Sequence, residues 1–297
     1  MTREITIAYT PDSDDAFYYY AMQNNIIGLP GVKFRFEVDH IINLNQLAKK
    51  QVYDVSAISS VFYPNIANDF QILSVGSSIG RGYGPVLVSK KYQTLEELSN
   101  KRVAVAGVST TGGFLANYAL PQSELIERQF DLIADAVVSG EFAAGVMIHE
   151  ELLYYPQKGL HKVADLGDIW QQKTELPLPV GLNVISRYLE ESLIQDIADC
   201  VRESLGYALT HKEEALAWAS QFGRGDDGDC GEEHIAMFAN ADSVMMPEDV
   251  REGLRTLYPL TMKYGISDCI PPLDIVEGST EVQQRVMQLI TQQPVAI

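Results

Sequence analysis

Four stretches of this chain gather side chains that do chemistry. At 148–151 an apolar run ends in Ile148-His149-Glu150-Glu151. A histidine at such a place can ligate a metal, act as a general base near neutral pH, or pack with its ring nitrogens satisfied. Zinc is disfavoured, because Leu153 stands where an H-E-x-x-H pair needs its second histidine and no cysteine lies nearby. A Ser-His-Asp triad finds no support around it either. The second stretch is Thr10-Pro11-Asp12-Ser13-Asp14-Asp15, where a strand ends, proline turns the chain and a helix begins. Capping and the helix dipole account for one or two of these acids at about 0.3–1 kcal/mol each. A third adds repulsion, so the competing reading aims one acid at a hydroxyl-bearing ligand.

The third stretch is Val103-Ala104-Val105-Ala106-Gly107 followed by Ser109-Thr110-Thr111-Gly112-Gly113. It is a buried strand leading to a hydroxyl-rich helix start. Unpaired amides and the positive end of the dipole meet there, which suits a carboxylate or phosphate. Two early glycines cost helix stability, up to about 1 kcal/mol each, and leave room for a ligand. The Walker ending G-K-[ST] is missing. The fourth stretch, Ser56-Ala57-Ile58-Ser59-Ser60, ends a buried strand in small hydroxyls. Core packing explains it as well as ligand binding through Ser59 does. The acidic, Gly-rich run at 223–233 lacks the calcium-loop spacing and reads as a solvated connection between helices.

The elements that must position these groups alternate. β-Branched runs at 4–10, 33–39, 53–60, 70–80, 84–90 and 102–107 are separated by helical patterns, and Thr94 with Glu97 forms a capping-box signature. From Glu190 onward the pattern is mainly helical. The expectation is an α/β fold of two lobes with mostly parallel sheets, a ligand cleft between the lobes and a helical C-terminal tail. Residues 1–90 and 186–297 are assigned to the first lobe and 91–185 to the second.

Composition narrows the function classes. The 297 residues carry 40 acids against 22 bases, a formal charge of −18. Such a surface repels nucleic acid and anionic lipid, so neither is an expected partner. No apolar stretch is long enough for a membrane span, and the first apolar run breaks at Pro11, too early for a signal-peptide core. Cys200, Cys230 and Cys269 are far apart and form no C-x-x-C pair, which argues against a disulfide framework and for a reducing cytoplasm.

Taken together, TPDSDDAFYYYA at 10–21, NLNQLA at 43–48, AISS at 57–60, GRGYGPVLVS at 80–89, VAVAGVSTTGGFL at 103–115 and the long block at 148–181 resemble the 1,4-dihydroxy-6-naphthoate synthase family of the futalosine route to menaquinone. The resemblance covers roughly 1–215, and the helical tail more weakly. It implies a two-lobed fold of the periplasmic-binding-protein type (type II) with the site in the cleft. It also implies a cofactor-free and metal-free carbon–carbon lyase that converts cyclic dehypoxanthine futalosine to 1,4-dihydroxy-6-naphthoate and dihydroxyacetone. By position it makes His149 the general base, with Thr110 and Thr111 holding the carboxylated substrate. Ala57, Ile58, Ser59 and Ile148 line the pocket, and Asp15 and Asn45 contact its polar parts. The chain departs from the family's usual P-C-P-N-D-T-F, since Asp14 and Ala16 replace the Asn and Thr; Ala57 stands where a lysine is usual. Two alternatives remain beside the lyase: a solute-binding protein for a small carboxylate, and a sister enzyme acting on another such acid.

Overall fold

Residues 2–222 and 229–292 are described by a computed structural model. The first lobe opens with β1 (Arg3–Tyr9), whose second half is fully buried, and two short helices, α1 (Ser13–Tyr18) and α2 (Tyr20–Gln23). Then come β2 (Val32–Val38), α3 (Ile41–Lys49) and β3 (Val55–Ser59). In β2 Phe34 and Phe36 turn inward between exposed Lys33 and Arg35, the alternation of a strand with one wet face. A 3₁₀ turn at Ser60–Asn65 stands where a helix is expected, and it contains Pro64, which has no N–H to extend one. Strands β4 (Phe70–Leu73) and β5 (Ser78–Gly80) complete this first pass.

The chain crosses into the second lobe near 81–85. There it forms β6 (Val86–Ser89), β7 (Arg102–Val105), α4 (Thr111–Ala119), β8 (Glu124–Glu127), α5 (Ile133–Val138), β9 (Ala144–Met147), α6 (Glu151–Tyr154), β10 (His161–Asp165) and α7 (Leu166–Thr174). Thr94 and Glu97 do bond reciprocally, at 3.2 and 3.4 Å, but the box closes only the 3₁₀ turn Glu96–Leu98. The return strand β11 (Leu178–Ser186) leads to the tail: α8 (Glu191–Thr210), α9 (Lys212–Ala219), α10 (Asp229–Phe238), α11 (Ala241–Val244), α12 (Glu248–Lys263), β12 (Ile275–Val276) and α13 (Thr280–Gln292). Of the acidic run read as a loop, 223–228 lie outside the described residues, while 229–233 open α10 and are helical.

One sheet has the order β12-β4-β11-β3-β1-β2, with β5 on β11; the other runs β10-β6-β9-β7-β8. This moves both lobe boundaries. Val86–Ser89, assigned by sequence to the first lobe, pairs within the second sheet, and residues 178–185, assigned to the second lobe, pair within the first. Nor are the sheets mostly parallel. β11 is antiparallel to β3, β4 and β5, and β6 is antiparallel to β9 and β10. Both strands carry the chain between lobes, so they enter against the direction that successive βα units impose.

The first lobe and the tail share a core in which Ile194, Ile197, Val201 and Leu205 of α8 form one helical stripe against Phe17 and Tyr19. The second lobe has its own small core around Val88, Ala104, Ile133 and Met147. A third cluster, including Ile58, Leu87, Phe114, Trp170, Leu182 and Leu254, runs from one sheet to the other and ties the lobes together behind the cleft.

Candidate active site

A cleft lies between the lobes and is lined by residues of both and of the tail. The first lobe brings the ends of β1 and β3 to it, the second lobe brings the start of α4 and the end of β9, and the tail brings α10.

His149 lies two residues beyond β9 with φ +56°, in the left-handed region. For a residue other than glycine that conformation costs about 1–2 kcal/mol. It is held by its surroundings, the usual condition for strain at a functional site. The side chain is only 12% exposed, and its Nδ1 is paired with the Asp12 carboxylate from the opposite lobe. Phe130 meets the ring edge-on at 4.9 Å, and His40 meets Phe130 in turn at 5.0 Å. With Nδ1 on Asp12, Nε2 is directed to the other side of the ring.

The three acids at 12–15 are all buried, and none simply caps the helix. Asp12 occupies the N-cap position of α1 without a capping hydrogen bond; it accepts from Thr10 Oγ1 at 2.8 Å and pairs with His149. Asp15 accepts from the Thr10 amide at 2.9 Å, and its carboxyl lies 2.5 Å from the Thr10 hydroxyl oxygen. Asp14 lies 3.5 Å from Ser78 Oγ and 3.5 Å from His234 Nδ1. Next to His149, the buried Glu150 accepts from the Ser13 hydroxyl and, at 3.3 Å, from the Ser13 amide. Two polar links therefore join α1 of one lobe to the turn after β9 of the other.

Packing these carboxylates together changes their acidity. Burial raises the Asp15 carboxyl from 3.8 to about 6; the Thr10 hydrogen bonds oppose the rise and the Asp12 charge adds to it. Asp14 is driven well above the usual carboxylate range, first by burial and then by the charges of Asp15 and Asp12. Tyr18, whose hydroxyl donates to the Phe238 carbonyl at 2.7 Å, is also raised by burial and stays a neutral phenol.

The start of α4 lies across the cleft. Thr110 is its N-cap: Oγ1 accepts from Gly113 N at 3.1 Å and donates to Gly107 O at 2.7 Å. Thr111 donates its hydroxyl to Val180 O at 2.7 Å. Both hydroxyl hydrogens are thus committed, and what the helix start offers a ligand is its backbone amides. The two glycines there divide their work. Gly112 lines the cleft, whereas a Cβ on Gly113 would sit 2.0 Å from Gly107 O, so Gly113 serves the close approach of the strand-end loop.

Of the other residues singled out by sequence, Ala57, Ile58, Ser59 and Ile148 line the cleft. Asn45 does not. It is fully buried behind Ser59, accepting from Ser59 N at 2.9 Å and donating to Ser59 Oγ at 3.2 Å. That arrangement leaves the Ser59 hydroxyl hydrogen to be donated elsewhere. Gly76-Ser77-Ser78-Ile79-Gly80 has the letter spacing of a nucleophile elbow, but Ser78 opens β5 instead of sitting at a strand-to-helix turn. Sequence reasoning missed Thr10, Ser78, His234 and Phe238 as lining residues. His234 and Phe238 share a helix face, yet nothing local distinguishes that spacing from core packing. Among the described residues no group of three or more His, Cys, Asp or Glu is arranged to hold a metal ion, and no helix is long and apolar enough to cross a membrane.

The profile of a family described as menaquinone biosynthesis matches residues 5–263. A 1,4-dihydroxy-6-naphthoate synthase of Thermus thermophilus is 31% identical over 254 residues, covering 86% of this chain and 92% of its own. Among solved structures, protein AF1704 of Archaeoglobus fulgidus is 36% identical with a TM-score of 0.84, covering 89% of this chain and 98% of that one. The periplasmic aliphatic sulphonate binding protein SsuA of Escherichia coli superposes with a TM-score of 0.64 at 12% identity, covering 94% and 96%. That likeness concerns the fold, which is of the periplasmic-binding-protein type, as the sequence resemblance implies.

Proposed function

The chain belongs to the menaquinone-biosynthesis family, and from that premise we propose that it is a 1,4-dihydroxy-6-naphthoate synthase acting on cyclic dehypoxanthine futalosine. The reaction is a carbon–carbon cleavage that releases dihydroxyacetone, with His149 as general base and no cofactor. The observation that carries the reading is the pairing of His149 Nδ1 with buried Asp12 across the cleft. A neutral imidazole that donates Nδ1–H to a carboxylate has its lone pair on Nε2, the form needed to take a proton. Asp12 then stabilises the imidazolium that results.

The rest of the cleft suits a substrate that is apolar in the middle and polar at both ends. Ile41, Ile58, Ile148, Val180 and Leu182 supply flat apolar walls for an aromatic ring system. The amides at the start of α4 are the donors for the substrate carboxylate. On the opposite side Ser59 and the acids of α1 face its hydroxyl groups. Because His149 and Asp12 come from different lobes, closure of the lobes assembles the base, and the Ser13–Glu150 link holds the closed form. A cytoplasmic setting is part of the same reading.

The test is turnover. Wild-type protein incubated with cyclic dehypoxanthine futalosine is expected to give 1,4-dihydroxy-6-naphthoate by mass spectrometry, and His149→Ala is expected to be about 10²–10⁴-fold slower. Equal rates from both proteins remove His149 as the base. No product from folded wild-type protein, with the compound still bound, turns the reading toward a solute-binding protein.

A further inference from the structure

Of the five histidines, two line the cleft, and the reaction as set out above employs only His149. His234 enters from α10 and is 2% exposed, with Nδ1 3.5 Å from Asp14 Oδ1. The Phe238 ring meets it edge-on at 5.1 Å. The helix that carries it is fixed from both lobes' sides: Tyr18 Oη donates to Phe238 O at 2.7 Å, and Tyr83 Oη, on the crossover into the second lobe, donates to Met237 O at 2.6 Å. The cleft thus holds two buried His–Asp pairs, His149 with Asp12 and His234 with Asp14, the histidines coming from different parts of the fold.

We infer that His234, held by Asp14, is the second proton-transfer group of this site, the acid that returns a proton to the fragment receiving the electron pair of the broken carbon–carbon bond. This rests on the lyase reading above. Cleavage beside a hydroxyl group needs one proton removed and one supplied. His149 takes the hydroxyl proton, the C–O bond becomes C=O, and the carbon–carbon bond breaks. Its electron pair passes into the conjugated carbonyl of the other fragment. His234, as imidazolium, protonates that fragment, so protons and electrons balance with no oxidant or reductant. At 3.5 Å the two groups are within ion-pair reach of each other. The ionisable groups that meet α10 include Asp14 and Tyr18 from α1 and Tyr83 from the crossover, with Asp15, Asp12 and Glu150 acting on Asp14. Burial and the charges of Asp15 and Asp12 raise the Asp14 carboxyl, so the His234–Asp14 pair as a unit holds a proton.

The experiment measures kcat and KM of wild type, His234→Gln and Asp14→Asn from pH 5.5 to 9.5 with cyclic dehypoxanthine futalosine. Thermal unfolding and calorimetric titration with 1,4-dihydroxy-6-naphthoate control for fold and binding. The inference expects His234→Gln to lose about 10²-fold or more in kcat with KM changed less than about threefold, and to lose the alkaline fall of kcat. Asp14→Asn is expected to keep that fall but move it to lower pH, since the pair loses the carboxyl that shares its proton. Wild-type kcat and an unchanged alkaline limb in His234→Gln overturn the inference and leave the lyase reading intact. A wild type that binds but never turns over overturns both. Should His234→Gln not fold, His234→Asn and Asp14→Asn decide by the same criteria.

Discussion

Asp15→Asn should make this protein more stable at neutral pH, and more so the higher the pH. Asp15 is a fully folded-in carboxyl whose pKa is raised from 3.8 to about 6. The sign follows from proton binding. Between those two values the folded state holds a proton that the unfolded chain has lost, so stability falls as pH rises through this window and stays lower above it. The gap of about 2 units corresponds to about 3 kcal/mol above pH 7. Near pH 4 the unfolded chain is only half ionised and little of the penalty has developed. Asparagine keeps the shape and an acceptor for the Thr10 amide and hydroxyl, but it never ionises. The difference in unfolding free energy between Asp15→Asn and wild type should therefore grow by about 2–3 kcal/mol between pH 4 and pH 8. For a chain of this size that is roughly 4–8 °C in Tm. Removing the Asp15 charge also relieves Asp14, which its neighbour pushes upward, and acts in the same direction. The assay is urea unfolding of both proteins at a series of pH values, with linear extrapolation. A stability difference that does not change with pH, or a variant less stable than wild type at pH 8, refutes the reasoning. The same acids that face the cleft would then not be stored destabilisation traded for function.

Two further substitutions separate packing from chemistry. Gly113→Ala places a Cβ 2.0 Å from the Gly107 carbonyl, a backbone atom that cannot swing away; it is expected to cost about 1–3 kcal/mol in thermal unfolding and to weaken carboxylate binding by displacing the start of α4. Arg202→Met removes a wholly buried guanidinium that donates to Ser74 Oγ at 2.7 Å and Val244 O at 3.0 Å and does not line the cleft; the loss expected is about 3 kcal/mol in denaturant unfolding, with kcat unchanged in the folded fraction.

Much of this protein was legible in the chain. Local patterning sufficed for β1, β3, β7 and β9, for the amphipathic stripe of α8, and for the helix start after Gly107, because strand alternation, helical spacing and hydroxyl caps act over a few residues. The motif at 148–181 pointed to His149 by resemblance. The roles of the acids at 12–15 were not legible. Spacing allows each of them to cap, repel or bind, and the choice depends on what the other lobe presents. Asp12 meets a histidine 137 positions later, and Asp14 meets one in the helical tail. The boundary strands β6 and β11 were misassigned for the same reason: each looks like any buried strand, and only the sheet order tells which lobe it serves. Sequence determined the elements and the groups that can do chemistry; the closure of two lobes, a long-range packing event with no local signal, decided which of those groups meet.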